Sequence, residues 1–403
     1  MSPRSRQDVG MPRHVDSRRV YLLMFNACGS GGVARTVLNL ANHLADDHEV
    51  EVISVLRRRD EPRFAVDPRV RLSYLEDRRP TRPNEGRLRT MLGRRPTRLQ
   101  PPPVEGQMSM LSDLLLHRKL RGLRAGILIS TRPSLHLAAA RFAPDRLVTI
   151  GQDHLNFPSR FANAKQAAVL RATIPKLDAY TVLTEADAVD YRRELPDVDT
   201  DISVIRNALP WPVPSTPAKL DSKIVLAAGR LSRVKGFRRL VHAYAPIARA
   251  RPDWQLHIYG HGEEREHLSA MIARNRLDQQ IVLKGFAADF PSVLGDASVY
   301  AMSSFSEGFP MVLIEAMSTG LPLVSFDCPR GPGEIIDDGR NGRLVDDGDV
   351  PGFTEALRAV IEDDDLRYRL GAQAHEDARK YEVDHIVAQW EDLFARMLER
   401  RRG

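Results

Sequence analysis

Only two cysteines, Cys28 and Cys328, occur among the 403 residues. Two thiols in so long a chain exclude a disulfide framework and fit a reducing compartment. Both are read as small core fillers near strand ends. No apolar run approaches the ~18 residues of a membrane-crossing helix. The arginine-rich N-terminus has no apolar stretch before residue 20, so it is not read as a secretory leader. Lysine is scarce, 8 of 59 basic residues, the other 51 being arginine, a bias read as genomic rather than functional. No segment interleaves aromatics densely with basic residues, which argues against nucleic acid as a partner.

What is present reads as globular. The length exceeds one ordinary core, so two domains are expected. Val20–Asn26 is a compact apolar run, Gly29–Gly32 a glycine turn, and Val33, Val37, Leu40 and Leu44 recur at helical spacing. A second apolar run follows at His48–Leu56, completing a strand–glycine loop–helix–strand order, the start of a Rossmann-like unit. Short runs at 127–130, 147–150, 179–183 and 202–205 continue this first half. A proline-rich connector over 206–214 separates it from a second series of strands at 224–228, 255–259, 281–284, 298–302 and 321–326. Alternating strands and helices imply parallel sheets. The expected boundaries are a disordered tail over 1–18, an N-terminal half over 19–207, a C-terminal half over 208–382 and a final helix over 383–403. Prolines and arginines over 78–103 deny that stretch a core and mark a solvated basic loop.

The segment Ser306-Glu307-Gly308-Phe309-Pro310-Met311-Val312-Leu313-Ile314-Glu315 places two carboxylates around a turn and the start of a helix. Two acids so held suit the hydroxyls of a sugar nucleotide. The N–H groups of Gly308, Phe309, Met311 and Val312 offer donors for an anion, and Pro310, lacking one, suits an early helix position. A second segment runs a buried strand into Gly229-Arg230-Leu231-Ser232-Arg233-Val234-Lys235-Gly236. Arg230 can fork onto a phosphate and Lys235 can supply a point charge. Two fixed cations of this kind can neutralise a leaving diphosphate; no metal ligand set is assigned and no cofactor is expected.

Together these motifs resemble the retaining glycosyltransferases of family 4. The resemblance extends to Gly29-Ser30-Gly31-Gly32-Val33-Ala34-Arg35, to His154 in Gly151-Gln152-Asp153-His154, and to Asp327-Cys328-Pro329-Arg330-Gly331-Pro332-Gly333-Glu334. It spans nearly the whole chain apart from the first ~15 residues and about 78–120. It implies an α/β chain of the GT-B fold, two facing Rossmann-like domains with the donor in the cleft, and a final helix that crosses back to the first domain. Gly31 and Gly32, supplying positive φ and close approach, would face the donor diphosphate and sugar. Arg230 and Lys235 would act on the departing nucleoside diphosphate, Glu307 on sugar hydroxyls and Glu315 on the ribose. Phe286 would line the base pocket, a core position being the alternative, and Gly260-His261-Gly262 would pack on the nucleotide side. His154 would stand near the sugar and acceptor, with Asp153 a competing candidate and Glu334 opening a helix near the sugar. Relatives often carry Glu where Arg35 stands.

The expected reaction moves a hexose or N-acetylhexosamine from a nucleotide diphosphate sugar, UDP first and GDP next. The acceptor would be a surface glycan, a polyol-phosphate such as teichoic acid, or a lipid-linked molecule. The net charge of +6 fits an anionic acceptor or a peripheral contact with an anionic membrane from the cytoplasmic side. Two other readings stand beside it: a sugar-nucleotide epimerase or NAD-dependent oxidoreductase, disfavoured by the incomplete glycine fingerprint, and a non-catalytic sugar-nucleotide binder or membrane scaffold.

Overall fold

The computed structural model describes residues 18–81, 86–99 and 106–402. The tail expected over 1–18 lies outside them but for Arg18, as do residues 82–85 and 100–103 of the basic loop. The first half contains β1 (Arg19–Asn26), α1 (Gly32–Leu44), β2 (Glu49–Arg57), β3 (Arg71–Asp77), α2 (Arg87–Arg94), α3 (Met110–Arg121), β4 (Gly126–Ser130), α4 (Pro133–Phe142), β5 (Leu147–Gln152), α5 (Phe157–Phe161), α6 (Ala164–Thr173), β6 (Ala179–Val182), α7 (Glu185–Glu194) and β7 (Asp201–Val204). The second contains β8 (Ile224–Ala228), α8 (Phe237–Ala250), β9 (Gln255–Tyr259), α9 (Arg265–Arg274), β10 (Ile281–Gly285), α10 (Phe290–Gly295), β11 (Val299–Met302), α11 (Met311–Ser318), β12 (Leu323–Asp327), α12 (Pro332–Ile335), β13 (Gly342–Asp346), α13 (Val350–Glu362), α14 (Asp364–Ala378) and α15 (Val383–Arg402).

Seven parallel strands form the first sheet in the order β3-β2-β1-β4-β5-β6-β7, and six form the second as β10-β9-β8-β11-β12-β13. The parallel sheets follow the alternation of apolar runs, and their pairing is the GT-B arrangement that the resemblance implied. Central strands such as β1 and β4 are buried on both faces, because helices cover both sides of a parallel sheet. Each sheet consequently lies between two cores. In the first half one contains Val20, Leu22 and Val37 and the other Tyr21, Leu23 and Leu128. In the second they gather around Val225 and Leu256, and around Tyr300 and Leu313. The last helix returns to the first half: Ile386, Trp390, Leu393 and Phe394 of α15 join the core of Val37 and Leu40. Arg401 of α15 also binds Asp178 at 2.7 Å.

Two strands and one helix escape sequence reading. β3 and β13 are edge strands, half-exposed along much of their length, so neither contains a continuous apolar run. α2 falls inside the stretch read as a loop. It occupies the proline-free interval between Pro83 and Pro96, and none of its residues is buried, so a helix forms where no core was to be expected. The boundary helix α15 gives a direct test. Trp390→Ala should remove about 3–5 kcal/mol of stability, read as a lower urea midpoint; an unchanged midpoint would contradict the packing described.

Candidate active site

In a doubly wound sheet the crevice opens beyond the strand C-termini where the strand order reverses. That point lies between β1 and β4 in the first sheet and between β8 and β11 in the second. The loops following these strands carry Gly31 and Gly32 on one side of the cleft, and Arg230, Lys235 and Glu307 on the other.

The loop after β8 is fastened from two directions. Its Gly229 and Leu231 N–H groups donate to Tyr259 and His261 carbonyls at 3.0 and 2.9 Å. A Cβ at Gly260 or Gly262 would lie 1.8 or 2.2 Å from a carbonyl of this loop. The glycines after β9 thus serve close loop packing beneath Arg230. At the other end, Gly236 has φ +65° and touches the Ser303 carbonyl, where any Cβ would clash at 1.8 Å. Arg239, buried in α8, donates to the Ser303 carbonyl at 2.7 Å and to that of Ser304, and pairs with Asp347 at 2.7 Å. Its guanidinium lies between the Phe305 and Phe326 rings, 4.0 Å from each centroid. This buried cation shapes the loop after β11, and sequence reading missed it. Only its place beside the Lys235 motif, on the first turn of the next helix, could have flagged it.

With both loops set, Lys235 Nζ meets Glu307 Oε1 at 2.6 Å. Glu307 is nearly buried, while Arg230 is exposed and touches Glu263 at 3.3 Å. Ion pairs as exposed as the latter contribute little, which leaves Arg230 available. Beyond Glu307 the N–H groups of Gly308, Phe309, Met311 and Val312 have no acceptor among the described residues. The Phe309 ring is buried against Tyr381, so only its backbone faces the turn. Phe286 is 57% exposed, which removes the core alternative for that residue.

The two halves meet at this turn. A Cβ at Gly308 would lie 2.5 Å from the His154 carbonyl, so that close approach needs glycine. Asn156 donates to Ser306 Oγ at 2.8 Å and to the Glu307 carbonyl, while its own carbonyl caps α5 through Ser159 N–H. His154 Nε2 is buried without a hydrogen-bond partner among the described residues, and burial pulls the imidazole down to about 4. It is therefore neutral at pH 7, with one nitrogen left free of the described residues. Asp153 is spoken for: Arg160 donates to it at 2.9 Å and the Tyr180 and Tyr191 hydroxyls at 2.8 and 3.0 Å. Burial pulls its carboxyl up, but the Arg160 guanidinium prevails and holds it at about 2. It is an anchor for the loop rather than a rival to His154.

Two expectations change, those for Glu334 and for the glycine pair, while Glu315 shows a partner. Glu315 is 1% exposed and paired with Arg35 of the other half; burial pushes its carboxyl up and Arg35 opposes the shift. Glu334 accepts the Glu185 and Ala186 N–H groups at the start of α7 at 3.0 and 3.1 Å, and pairs with Arg206. Its carboxylate therefore joins the halves instead of pointing at a sugar. Gly31 lies at an ordinary φ of −88°, and nothing stands within 4 Å of a Cβ at Gly31 or Gly32. These two glycines leave open space rather than permit a strained turn. Asp197 and Asp199 form an Asp-x-Asp pair just before β7, but no group of three potential metal ligands gathers among the described residues.

Comparison with known proteins decides the family. The profile described as Glycosyltransferase Family 4 matches residues 30–210, and that described as Glycosyl transferases group 1 matches 213–377. The chain belongs to the family 4 glycosyltransferases. Among relatives of this family, an exopolysaccharide phosphotransferase of Streptomyces coelicolor is 34% identical over 380 residues, 92% of this chain but 40% of that protein. A poly(ribitol-phosphate) alpha-N-acetylglucosaminyltransferase of Staphylococcus aureus is 27% identical over 243 residues, 60% of this chain and 48% of that one. The chain thus spans less than half the length of either relative. A crystal structure of TarM superposes with a TM-score of 0.76 over 94% of this chain and 98% of that one, at 16% identity. S. aureus TarM bound to UDP gives 0.64 over 70% and 59%, at 24% identity. Both likenesses support the GT-B fold.

The buried histidines set a pH response. His136, His154 and His257 are held down to about 3, 4 and 4 by burial, against an ordinary 6.5. Below pH 6.5 the unfolded chain binds protons that the native fold refuses, so stability falls as the pH drops toward 4. Asp187, pushed up to about 6 by burial, and Glu315, whose carboxyl burial also raises, work the other way as the pH falls, two groups against three. The melting temperature should decline from pH 7 to 4, at on the order of 1 kcal/mol per pH unit for each histidine. His136→Gln should make the slope shallower; a flat wild-type profile would refute this account.

Proposed function

We propose that this chain transfers a hexose or N-acetylhexosamine from a nucleotide diphosphate sugar to a glycan, polyol-phosphate or lipid-linked acceptor of the cell surface. The observation that carries the reading is the meeting of Lys235 and Glu307 at 2.6 Å on the two loops of the switch point. Beside them lie four N–H groups and the Nε2 of His154, all without partners among the described residues. Lys235 and Arg230 take the growing charge of the departing nucleoside diphosphate. That charge develops in the transition state, so these contacts act on the rate and not on binding alone. Glu307 and the adjacent N–H groups orient the sugar, Glu315 takes the ribose and Phe286 lies at the base. Neutral His154 hydrogen-bonds the sugar or acceptor and orients it. No metal or further cofactor enters this scheme.

Retention fits a front-face route. The acceptor hydroxyl attacks the anomeric carbon on the side the diphosphate leaves. The bond from that carbon to the phosphate oxygen breaks, and the acceptor proton passes to the departing phosphate. A hydrolase-type double displacement would need a carboxylate nucleophile, and no residue of the site is assigned that role. The alpha product named for the S. aureus relative is what retention from an alpha-linked donor would give. UDP is favoured as the carrier because TarM binds it, with GDP next.

The acceptor side includes α2, where Leu88 is 65% and Met91 44% exposed beside Arg87, Arg94 and Arg95. Apolar and cationic side chains on one exposed helix suit the surface of an anionic membrane. No helix among the described residues is long and apolar enough to cross a membrane. Replacing the three arginines with alanine should weaken co-sedimentation with phosphatidylglycerol vesicles by about fivefold for each cation lost; equal binding would remove the membrane from this reading.

The donor assignment is tested by thermal shift with UDP, GDP, ADP and NAD. A nucleotide at about 100 times its Kd should stabilise the chain by about 2.7 kcal/mol. Stabilisation by UDP or GDP supports the transferase, whereas stabilisation by NAD alone overturns it. Glu307→Ala and Lys235→Ala should each lower turnover about a hundredfold or more while the fold persists. Undiminished turnover in Glu307→Ala would defeat the site assignment.

A further inference from the structure

Two arginines of the N-terminal half reach the C-terminal half at the two places assigned to the nucleoside. Arg35, on the first turns of α1, pairs with the buried carboxylate of Glu315. Arg63, between β2 and β3, lays its guanidinium over the Phe286 ring, 4.1 Å from the centroid. A planar guanidinium on an aromatic face makes the contact that a nucleobase would make. A guanidinium on a carboxylate takes an oxygen to which a ribose hydroxyl would donate. Both nucleoside contacts of the C-terminal half are thus taken by side chains of its neighbour.

We propose that Arg35 and Arg63 are displaceable placeholders that bridge the cleft, and that a nucleoside diphosphate binds by evicting both. The inference rests on the donor-site reading above and adds two residues that control its selectivity. The two evictions differ in their charge balance. Arg63 is exposed and leaves a neutral ring, so its release strands no charge. Arg35 leaves a carboxylate that is 1% exposed. The ribose hydroxyls then have to satisfy that carboxylate, and the guanidinium loses its counter-charge. A ligand that brings a diphosphate into the cleft supplies a new anion; a bare nucleoside does not. Arg35 therefore favours phosphorylated over unphosphorylated nucleosides, whereas Arg63 competes with both alike.

Isothermal titration of the full chain with uridine and with UDP separates these roles. Arg63→Ala should bind both ligands several-fold tighter at an unchanged ratio. Arg35→Met should bind uridine tighter and UDP weaker, narrowing the preference for UDP by about tenfold. The double variant Arg35→Met/Glu315→Gln, which leaves no buried carboxylate unpaired, should show the same narrowed preference if the single variant folds poorly. An Arg63→Ala chain that gains no affinity, or Arg35 variants that keep the wild-type ratio, would overturn the proposal. Glu315→Gln alone should weaken UDP. If it does so while the arginine variants behave as wild type, this inference fails by itself. If Glu315→Gln leaves UDP binding unchanged, or the wild-type chain binds no UDP, the donor-site reading fails and takes this one with it.

Discussion

The cleft depends on one close approach, the backbone of Gly308 against the carbonyl of His154. His154 and Glu307 stand at or beside that contact, and Lys235 meets Glu307 at 2.6 Å. The close approach is possible because residue 308 has no side chain and because Asn156 ties the Ser306–Glu307 turn to the loop after β5. The same turn pairs with the following loop, Glu307 N–H donating to the Pro329 carbonyl at 2.8 Å and Arg330 N–H to the Glu307 carbonyl at 2.9 Å. Arg330 then reaches Asp190 and Glu334 reaches the start of α7. The turn is thus fixed to both halves, and the groups it presents are held before any ligand arrives, as electrostatic catalysis requires.

Charge is balanced within the cleft by the protein's own side chains. Each acid proposed for the donor has a cation: Glu307 has Lys235 and Glu315 has Arg35. A buried carboxylate without a partner is costly, so a site designed for ligand hydroxyls and phosphates must hold internal partners until they come. Lys235 and Glu307 belong to one half and can stay together when the donor binds. Arg35 and Glu315 belong to different halves, so this pair, like Arg63 over Phe286, spans the cleft.

Beneath the site lies a cation with no visible role in chemistry. Arg239 saturates the carbonyls of Ser303 and Ser304 and pairs with Asp347 between two aromatic rings. Carbonyls at a strand end must find donors once buried, and a single planar guanidinium supplies several in fixed geometry. The loop that ends in Glu307 is therefore supported by packing and hydrogen bonding from α8, the helix that begins just after Lys235.

The sequence by itself determined the α/β class, the two parallel sheets and the segments that carry the site, because buried strands read as apolar runs and glycine turns punctuate them. Its motifs placed the candidates Arg230, Lys235 and Glu307 on loops that follow strands and Glu315 on the next helix, whereas His154 was singled out by the family resemblance alone. It did not yield the edge strands β3 and β13, whose half-exposed residues leave no apolar run, nor α2, which has no core to betray it. Only the tertiary structure decided the partners. Asp153 and Glu334 read as candidates in the sequence because an acid beside a motif looks available. Folding brings Arg160, Tyr180 and Tyr191 to the first and the start of α7 to the second. Arg35 finds Glu315 280 positions away along the chain. No local pattern encodes which charges will meet across a cleft, since that depends on how two separately folded sheets come to face each other.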